Sequence, residues 1–198
     1  HCISIVSHNA FWFQGVPFAT DKPPAPRLEI LNQLCALYTE ICADVLCLQE
    51  IQSEETARAV AEELEMNYIF RPGGSYPQYG GAVFCRWPMV EVPLPQGETP
   101  DRILIQAQIS PENASSFRLV NAHLPSSRQR GAEGSQQQRL KEVSLVIDQA
   151  DVILGDFNET PDGQCATLLQ STGFVDAAHA CSAGEVQSNF WSYRGDQI

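Results

Sequence analysis

Four short apolar runs in this chain each lead into polar residues suited to holding a metal ion or a phosphate, and this repetition constrains the fold most. Ile3 to Val6 leads to Asn9, Ala43 to Leu48 leads to Gln49-Glu50, Phe117 to His123 ends on its own imidazole, and Val152 to Leu154 runs into Gly155-Asp156-Phe157-Asn158. Runs as continuously apolar as Val45-Leu46-Cys47-Leu48 fit strands covered on both faces, as in an α/β fold. The strand ends of such folds open onto a shared rim, so the polar termini are expected to converge there.

The intervening sequence supplies helices. Arg27 to Ile41 carries Ile30, Leu34, Leu37 and Ile41 at helical spacing. Ser53 is a predicted N-cap with Glu54 and Glu55 in the first turn, for a helix reaching Glu65. After Asn67 the pattern predicts successive antiparallel strands at Tyr68 to Arg71, Gly81 to Arg86, Ile103 to Ile109 and Phe117 to His123. Helical periodicity returns over Gln136 to Gln149, and Asp162 to Gln170 predicts one further short helix. No internal repeat or long linker divides the chain, so a single α/β domain over residues 1–198 is expected, with two packed sheets and helices outside.

Composition narrows the chemistry. With 43% hydrophobic residues among 198, the chain can bury a core without disulfide staples. Its seven cysteines are odd in number and scattered, with no C-x-x-C pair to suggest zinc. Most are expected as small buried side chains in a reducing, cytoplasmic setting. No apolar run approaches the ~18 residues that span a bilayer. The 24 acidic residues against 12 Lys and Arg give a net charge of −12, which disfavours extended binding to nucleic acid unless a metal or local cation intervenes. Arg86 and Arg194 are candidates for that cation.

Each strand end has a distinct chemical capacity. Glu50 presents a hard carboxylate oxygen suited to Mg²⁺ or Mn²⁺. His123 offers a cationic or donor imidazole to a phosphate oxygen. Gly155 permits a tight turn, after which Asp156 and Asn158, two residues apart, present a water-orienting carboxylate and an amide on the same side.

Taken together, Ser7-His8-Asn9, Leu48-Gln49-Glu50, Asn121-Ala122-His123-Leu124 and Gly155-Asp156-Phe157-Asn158 resemble, in order and approximate spacing, the endonuclease/exonuclease/phosphatase family, to which deoxyribonuclease I belongs. The glycine-led stretch Tyr79-Gly80-Gly81-Ala82-Val83-Phe84-Cys85-Arg86-Trp87-Pro88 adds to the likeness and is expected to be scaffold. The resemblance implies a four-layer α/β/β/α sandwich with two packed mixed sheets. It also implies a divalent-metal-dependent phosphoester hydrolase, a phosphodiesterase, nuclease or phosphatase, that uses Mg²⁺ or Mn²⁺ and a metal- and Asp-activated water. In that scheme Glu50 is the principal metal ligand and Asn9 helps to bind metal or phosphate. His123 donates to a nonbridging oxygen, Asp156 orients or deprotonates the attacking water, and Asn158 stabilises the phosphate and its developing charge. The implied partner is a phosphoester, small, lipid-like or nucleic acid, met by a monomer without membrane insertion.

The carboxyl end departs from the family pattern. Members continue into an Asp-bearing strand and a late Ser-Asp-His segment, whereas this sequence stops at Ile198 as a strand begins, and neither His179 nor Asp196 matches the missing pair. The expectation is a chain cut before its last strands, and also before its natural start, with little turnover of its own. A second reading stays open, in which the domain is a non-catalytic phosphate-binding module that has lost the late histidine.

Overall fold

The computed structural model describes residues 3–16 and 22–177. The chain forms two compact units, His1–Asn158 and Glu159–Ile198. The first contains β1 (Ile5–Asn9), a 3-10 turn (Phe11–Phe13), α1 (Leu28–Ile41), β2 (Val45–Ile51), α2 (Glu54–Leu64), β3 (Asn67–Arg71), β4 (Gly80–Cys85), β5 (Met89–Val92), β6 (Ile103–Ile109), β7 (Phe117–His123), α3 (Ser127–Ser144) and β8 (Val152–Asp156). One sheet has the order β1-β2-β4-β3 and the other β5-β6-β7-β8. Both are mixed: β1 with β2 and β7 with β8 are parallel, and the remaining pairs are antiparallel.

Strand alternation sorts β2 between two cores. Leu46 and Leu48 face the helices, packing with Leu31, Cys35 and Tyr38 of α1 and Val60 of α2. Val45 and Cys47 face the other way, meeting Ile103, Ile105 and Leu119 of the second sheet. Each fully buried aliphatic side chain contributes about 1.5–3 kcal/mol, so both faces of β2 stabilise the sandwich. The far face of the second sheet buries Leu104, Val120 and Ala122. Helix α3 is tied to this sheet's ends: Arg139 donates to the Pro125 carbonyl at 3.0 Å and Glu142 accepts the Asp101 N–H at 2.8 Å. The layers therefore run helices, sheet, sheet, helix, as an α/β/β/α sandwich.

A buried polar side chain staples the two sheets. Asn121 of β7, fully buried, donates through Nδ2 to the carbonyls of Leu48 (3.1 Å) and Ala82 (2.9 Å) in the first sheet. Its Oδ1 accepts from Gln49 Nε2 at 2.7 Å. A buried amide is tolerable because these bonds satisfy it, and they fix the ends of β2 and β7 relative to each other.

Sequence periodicity missed β5, a short strand between Pro88 and Pro93. It also placed α3 too late. The helix starts at Ser127 rather than Gln136, because its first half is polar and its hydrophobic signal begins only near Leu140. It ends at Ser144, with turns over 145–149, and Gly131 (φ 70°, ψ 174°) interrupts it after one turn. Cys35, Cys47, Cys85 and Cys165 are buried and unbridged, and Cys42 is exposed and unbridged. Among the described residues no helix is long and apolar enough to cross a membrane.

In the second unit the described structure centres on α4 (Gln164–Ser171), a helix anticipated from Asp162 to Gln170. Glu159 accepts the Cys165 and Ala166 N–H groups at 2.6 and 3.3 Å, placing a carboxylate at the positive end of the helix. His179, Arg194, Asp196, and the expected final strand lie outside the described residues.

Candidate active site

The parallel pairs bring the polar strand ends together. In β1 and β2 Asn9 lies beside Gln49, and in β7 and β8 His123 lies beside Asp156. Asn9 spans the two sheets, donating from Nδ2 to Asp156 Oδ2 at 3.0 Å while its Oδ1 accepts the Phe11 N–H at 3.0 Å. His123 Nε2 is 3.6 Å from Asp156 Oδ2 and 3.8 Å from Glu50 Oε1. Asn9, Glu50, His123 and Asp156, expected to share a rim, do so.

Glu50 reaches this rim by an irregularity of the strand. The β2–β4 register shifts between Gln49 and Ile51, and Glu50 takes φ 55°, so it is the extra residue of a β-bulge. Simple alternation would turn residue 50 toward the helix-side core with Leu46 and Leu48; instead Ile51 takes that place. The left-handed backbone costs about 1–3 kcal/mol and is held by the fully buried strand around it.

Asp156 and Asn158 share the turn after β8. Gly155 has φ 133°, and a Cβ there would fall on the Ala122 carbonyl, so only glycine lets β8 approach β7 this closely. Asp156 Oδ1 accepts the Asn158 N–H at 3.0 Å, and Asn158, at φ 52°, donates its side-chain amide to the Leu124 carbonyl at 2.9 Å. The Asp156 side chain is 29% exposed against 10% for Glu50 and 0% for His123. Asp156 is therefore the acid that meets solvent water.

The cation of the site was not read from the sequence. Arg102, at the start of β6, donates through Nη1 to His123 Nε2 and through Nη2 to Ser126 Oγ at 3.0 Å, and its guanidinium lies 4.2 Å over the Tyr79 ring. An arginine only donates, so Nε2 of His123 accepts and the ring proton sits on Nδ1, which is buried without a partner. Burial, then the neighbouring Arg102 charge, pushes the His123 pKa down to about 3 against the opposing pull of Asp156. His123 is thus a neutral ring, and the positive charge anticipated there belongs to Arg102. Arg86 is not at the site: it donates to the Ala43 carbonyl, beyond the end of β4 opposite to Gly80. The glycine-led β4 is scaffold as expected, but Tyr79 just before it stacks under Arg102 and turns its ring edge-on to His123.

Glu50 is the group best suited to a metal. Its Oε2 is buried without a hydrogen-bond partner. Burial pushes its pKa up to about 7, with Asp156 adding to the rise and Arg102 and the Asn9 amide opposing it. An ionised, desolvated oxygen lacking a donor is stabilised by a hard cation. Asn9 turns its NH2 to the carboxylates while its Oδ1 accepts the Phe11 N–H, so its oxygen would join the ligands only with the amide flipped. Among the described residues no group of three or more His, Cys, Asp or Glu side chains is arranged as a ready-made metal cage. The residues fit an ion of the Mg²⁺ type, which takes one or two carboxylates and keeps several waters.

Comparison with known proteins bears on the fold and the family. No curated protein matches the sequence. An AP endonuclease from Archaeoglobus fulgidus superposes with a TM-score of 0.63 at 19% identity, over 84% of this chain and 75% of that one. The human Nocturnin catalytic domain, solved with a bound sulfate anion, gives 0.63 at 16% identity over 98% and 79%. An endonuclease/exonuclease/phosphatase from Beutenbergia cavernae gives 0.58 at 19% identity, and this chain spans 52% of that protein's chain. These likenesses establish a shared deoxyribonuclease I-like fold. The model of the endonuclease/exonuclease/phosphatase family matches residues 6–196, and the chain belongs to that family.

Proposed function

We propose that this protein is a divalent-metal-dependent phosphoester hydrolase, acting as a monomer in a reducing compartment such as the cytoplasm, with Glu50 and Asn9 holding Mg²⁺ or Mn²⁺. The observation that carries the reading is the buried, partnerless Oε2 of Glu50 beside Asp156, His123 and Arg102. A bound divalent ion supplies charge neutralisation on the phosphate oxygens.

The chain's own residues do the rest. Asp156 orients the attacking water: each of its oxygens accepts one hydrogen bond from the protein, leaving a lone pair on each for water. Arg102 is a preorganised cation for the phosphate, held by Tyr79, His123 and Ser126 at no reorganisation cost when charge develops. His123 acts through that guanidinium: its neutral Nε2 accepts from Arg102 Nη1 and aims the remaining N–H groups of Arg102 at the phosphate. Asn158 stabilises the phosphate and its developing charge with its side-chain amide, one N–H of which is held by the Leu124 carbonyl.

The test is hydrolysis of bis(p-nitrophenyl) phosphate with Mg²⁺, paired with calorimetric titration of Mn²⁺. The reading expects turnover that EDTA abolishes and that Asp156→Ala lowers by about 100-fold or more, with Mn²⁺ binding lost in Glu50→Gln. Mn²⁺ binding unaffected by Glu50→Gln, or turnover indifferent to Asp156→Ala, would refute it.

A further inference from the structure

Glu142 of α3 is a fully buried acid outside the strand-end rim. Its Oε1 accepts two hydrogen bonds, from the Asp101 N–H at 2.8 Å and from Gln138 Nε2 at 2.9 Å, while Oε2 is buried without a partner. A buried carboxyl with one bare oxygen is a poor stabiliser, which an apolar side chain of similar length would match or better. What it does reach is the residue directly before Arg102. The backbone there is held from two sides. On one side the loop after β3 grips it: the N–H groups of Gly74, Ser75 and Tyr76 donate to the carbonyls of Arg102, Pro100 and Asp101 at 2.8, 3.1 and 3.0 Å. On the other side α3 grips Asp101 twice. Arg130 forks onto its buried carboxylate at 2.7 and 2.6 Å, and Glu142 takes its N–H.

We infer that Glu142 is a positioning residue for Arg102: by fixing the Asp101 N–H it sets the backbone from which the guanidinium reaches the phosphate. The inference rests on the hydrolase reading for its chemistry and on these contacts for its geometry. Tyr79, His123 and Ser126 fix the head of the Arg102 side chain, and Glu142 fixes its root. Stabilisation of developing charge by a preorganised donor depends on both, because a misplacement of about 1 Å costs as much as about 100-fold in rate. The bonds from Gly74 and Tyr76 remain when Glu142 is lost, so the expected effect is smaller than that of removing Arg102 itself. Only Oε1 is used, so a glutamine, with the same acceptor in the same place, suffices. Burial raises the Glu142 pKa, with the Asp101 and Gln138 hydrogen bonds opposing, so a neutral side chain suits the position.

Steady-state hydrolysis of bis(p-nitrophenyl) phosphate with Mg²⁺ compares the wild type with Glu142→Met, Glu142→Gln, Arg102→Ala and the Arg102→Ala, Glu142→Met double variant. Methionine keeps the length and apolar stem of the glutamate and removes the acceptor. Glu142→Met is expected to lower kcat about tenfold with KM within about twofold, and Glu142→Gln to retain the wild-type rate. Beside Arg102→Ala, Glu142→Met is expected to cost nothing further, since a merely structural loss would multiply through. The Arg102 Nε–H, buried without a partner, gives a second readout by heteronuclear NMR, assigned by its absence from Arg102→Ala. Its resonance is expected to move in Glu142→Met and to stay in Glu142→Gln. An unchanged kcat in Glu142→Met, an equal loss in Glu142→Gln, a loss that persists beside Arg102→Ala, or a Glu142→Met protein that does not fold overturns the inference. No turnover of any phosphodiester by the wild type defeats the hydrolase reading alone. The Arg102 resonance then decides the positioning: moved in Glu142→Met, the inference stands, and unmoved, it falls.

Discussion

The Gln49–Asn121 staple predicts a specific pattern of non-additivity. Both side chains are buried, at 1% and 0% exposure, and joined at 2.7 Å. Replacing Asn121 by Leu, close to it in size, removes three hydrogen bonds, each contributing about 0.5–1.5 kcal/mol net, and strands the Gln49 amide at a further cost of about 1–3 kcal/mol. The other acceptors of Gln49, Ser7 Oγ at 3.2 Å and the Cys47 carbonyl at 3.3 Å, are at the long end of hydrogen bonding and do not replace the lost one. The expected loss is about 3–5 kcal/mol, or a fall in melting temperature of about 10 °C for a chain of this size. Gln49→Leu strands the Asn121 oxygen and costs about 2–3 kcal/mol. The double variant leaves neither partner stranded, so its loss should fall short of the sum by about 1–2 kcal/mol. Urea unfolding of the four proteins, followed by tryptophan fluorescence and circular dichroism, measures this cycle. Losses that add to within about 0.5 kcal/mol would show that the two amides are not coupled.

Further outcomes follow from the same geometry. The stability that neutral Glu50 contributes is complete below pH 4.5 and is lost as pH rises to about 7, amounting to about 3 kcal/mol. In metal-free thermal melts, Glu50→Gln should therefore gain on the wild type between pH 5 and 8, and parallel profiles would contradict the burial argument. Gly155→Ala is expected to cost more than about 3 kcal/mol, since it meets the Ala122 carbonyl at φ 133°. Gly173→Ala, also at positive φ but with nothing near the added carbon, should cost only about 1 kcal/mol, so equal losses in denaturant melts would remove the steric explanation. Arg102→Ala should lower phosphodiester turnover by about 100-fold and Arg102→Lys should fail to restore it, because the fork onto His123 and Ser126 is lost; full activity in the lysine variant would mean that charge alone suffices.

Much of this arrangement was legible because strand ends announce themselves. An apolar run that stops on Asn9, Glu50, His123 or Asp156 reveals both the strand and its functional terminus, and the order of the runs carries the family pattern. What stayed hidden depended on pairing. Arg102 immediately precedes β6, a position that looks like an ordinary surface cation until β6 is known to run antiparallel to β7, which sets its start beside the end at His123. That topology was the available signal, since antiparallel strands were predicted there. The protonation of His123 depended on burial and on Arg102, neither of which a lone His-Leu pair displays. The bulge at Glu50 has no compositional mark, because glutamate is not a residue that favours positive φ.

The same bulge has a bearing on how the sheet assembles. Strand β2 is apolar on both faces from Val45 to Leu48, and by hydrophobicity alone it could slide one residue along its neighbours at little cost. Pairing without the bulge, which shifts every residue after Gln49 by one, would drive the carboxylate of Glu50 into the apolar layer of Leu31, Cys35 and Val60. The extra residue thus serves as a register lock, so the acid used at the rim also excludes the slipped sheet while the protein folds.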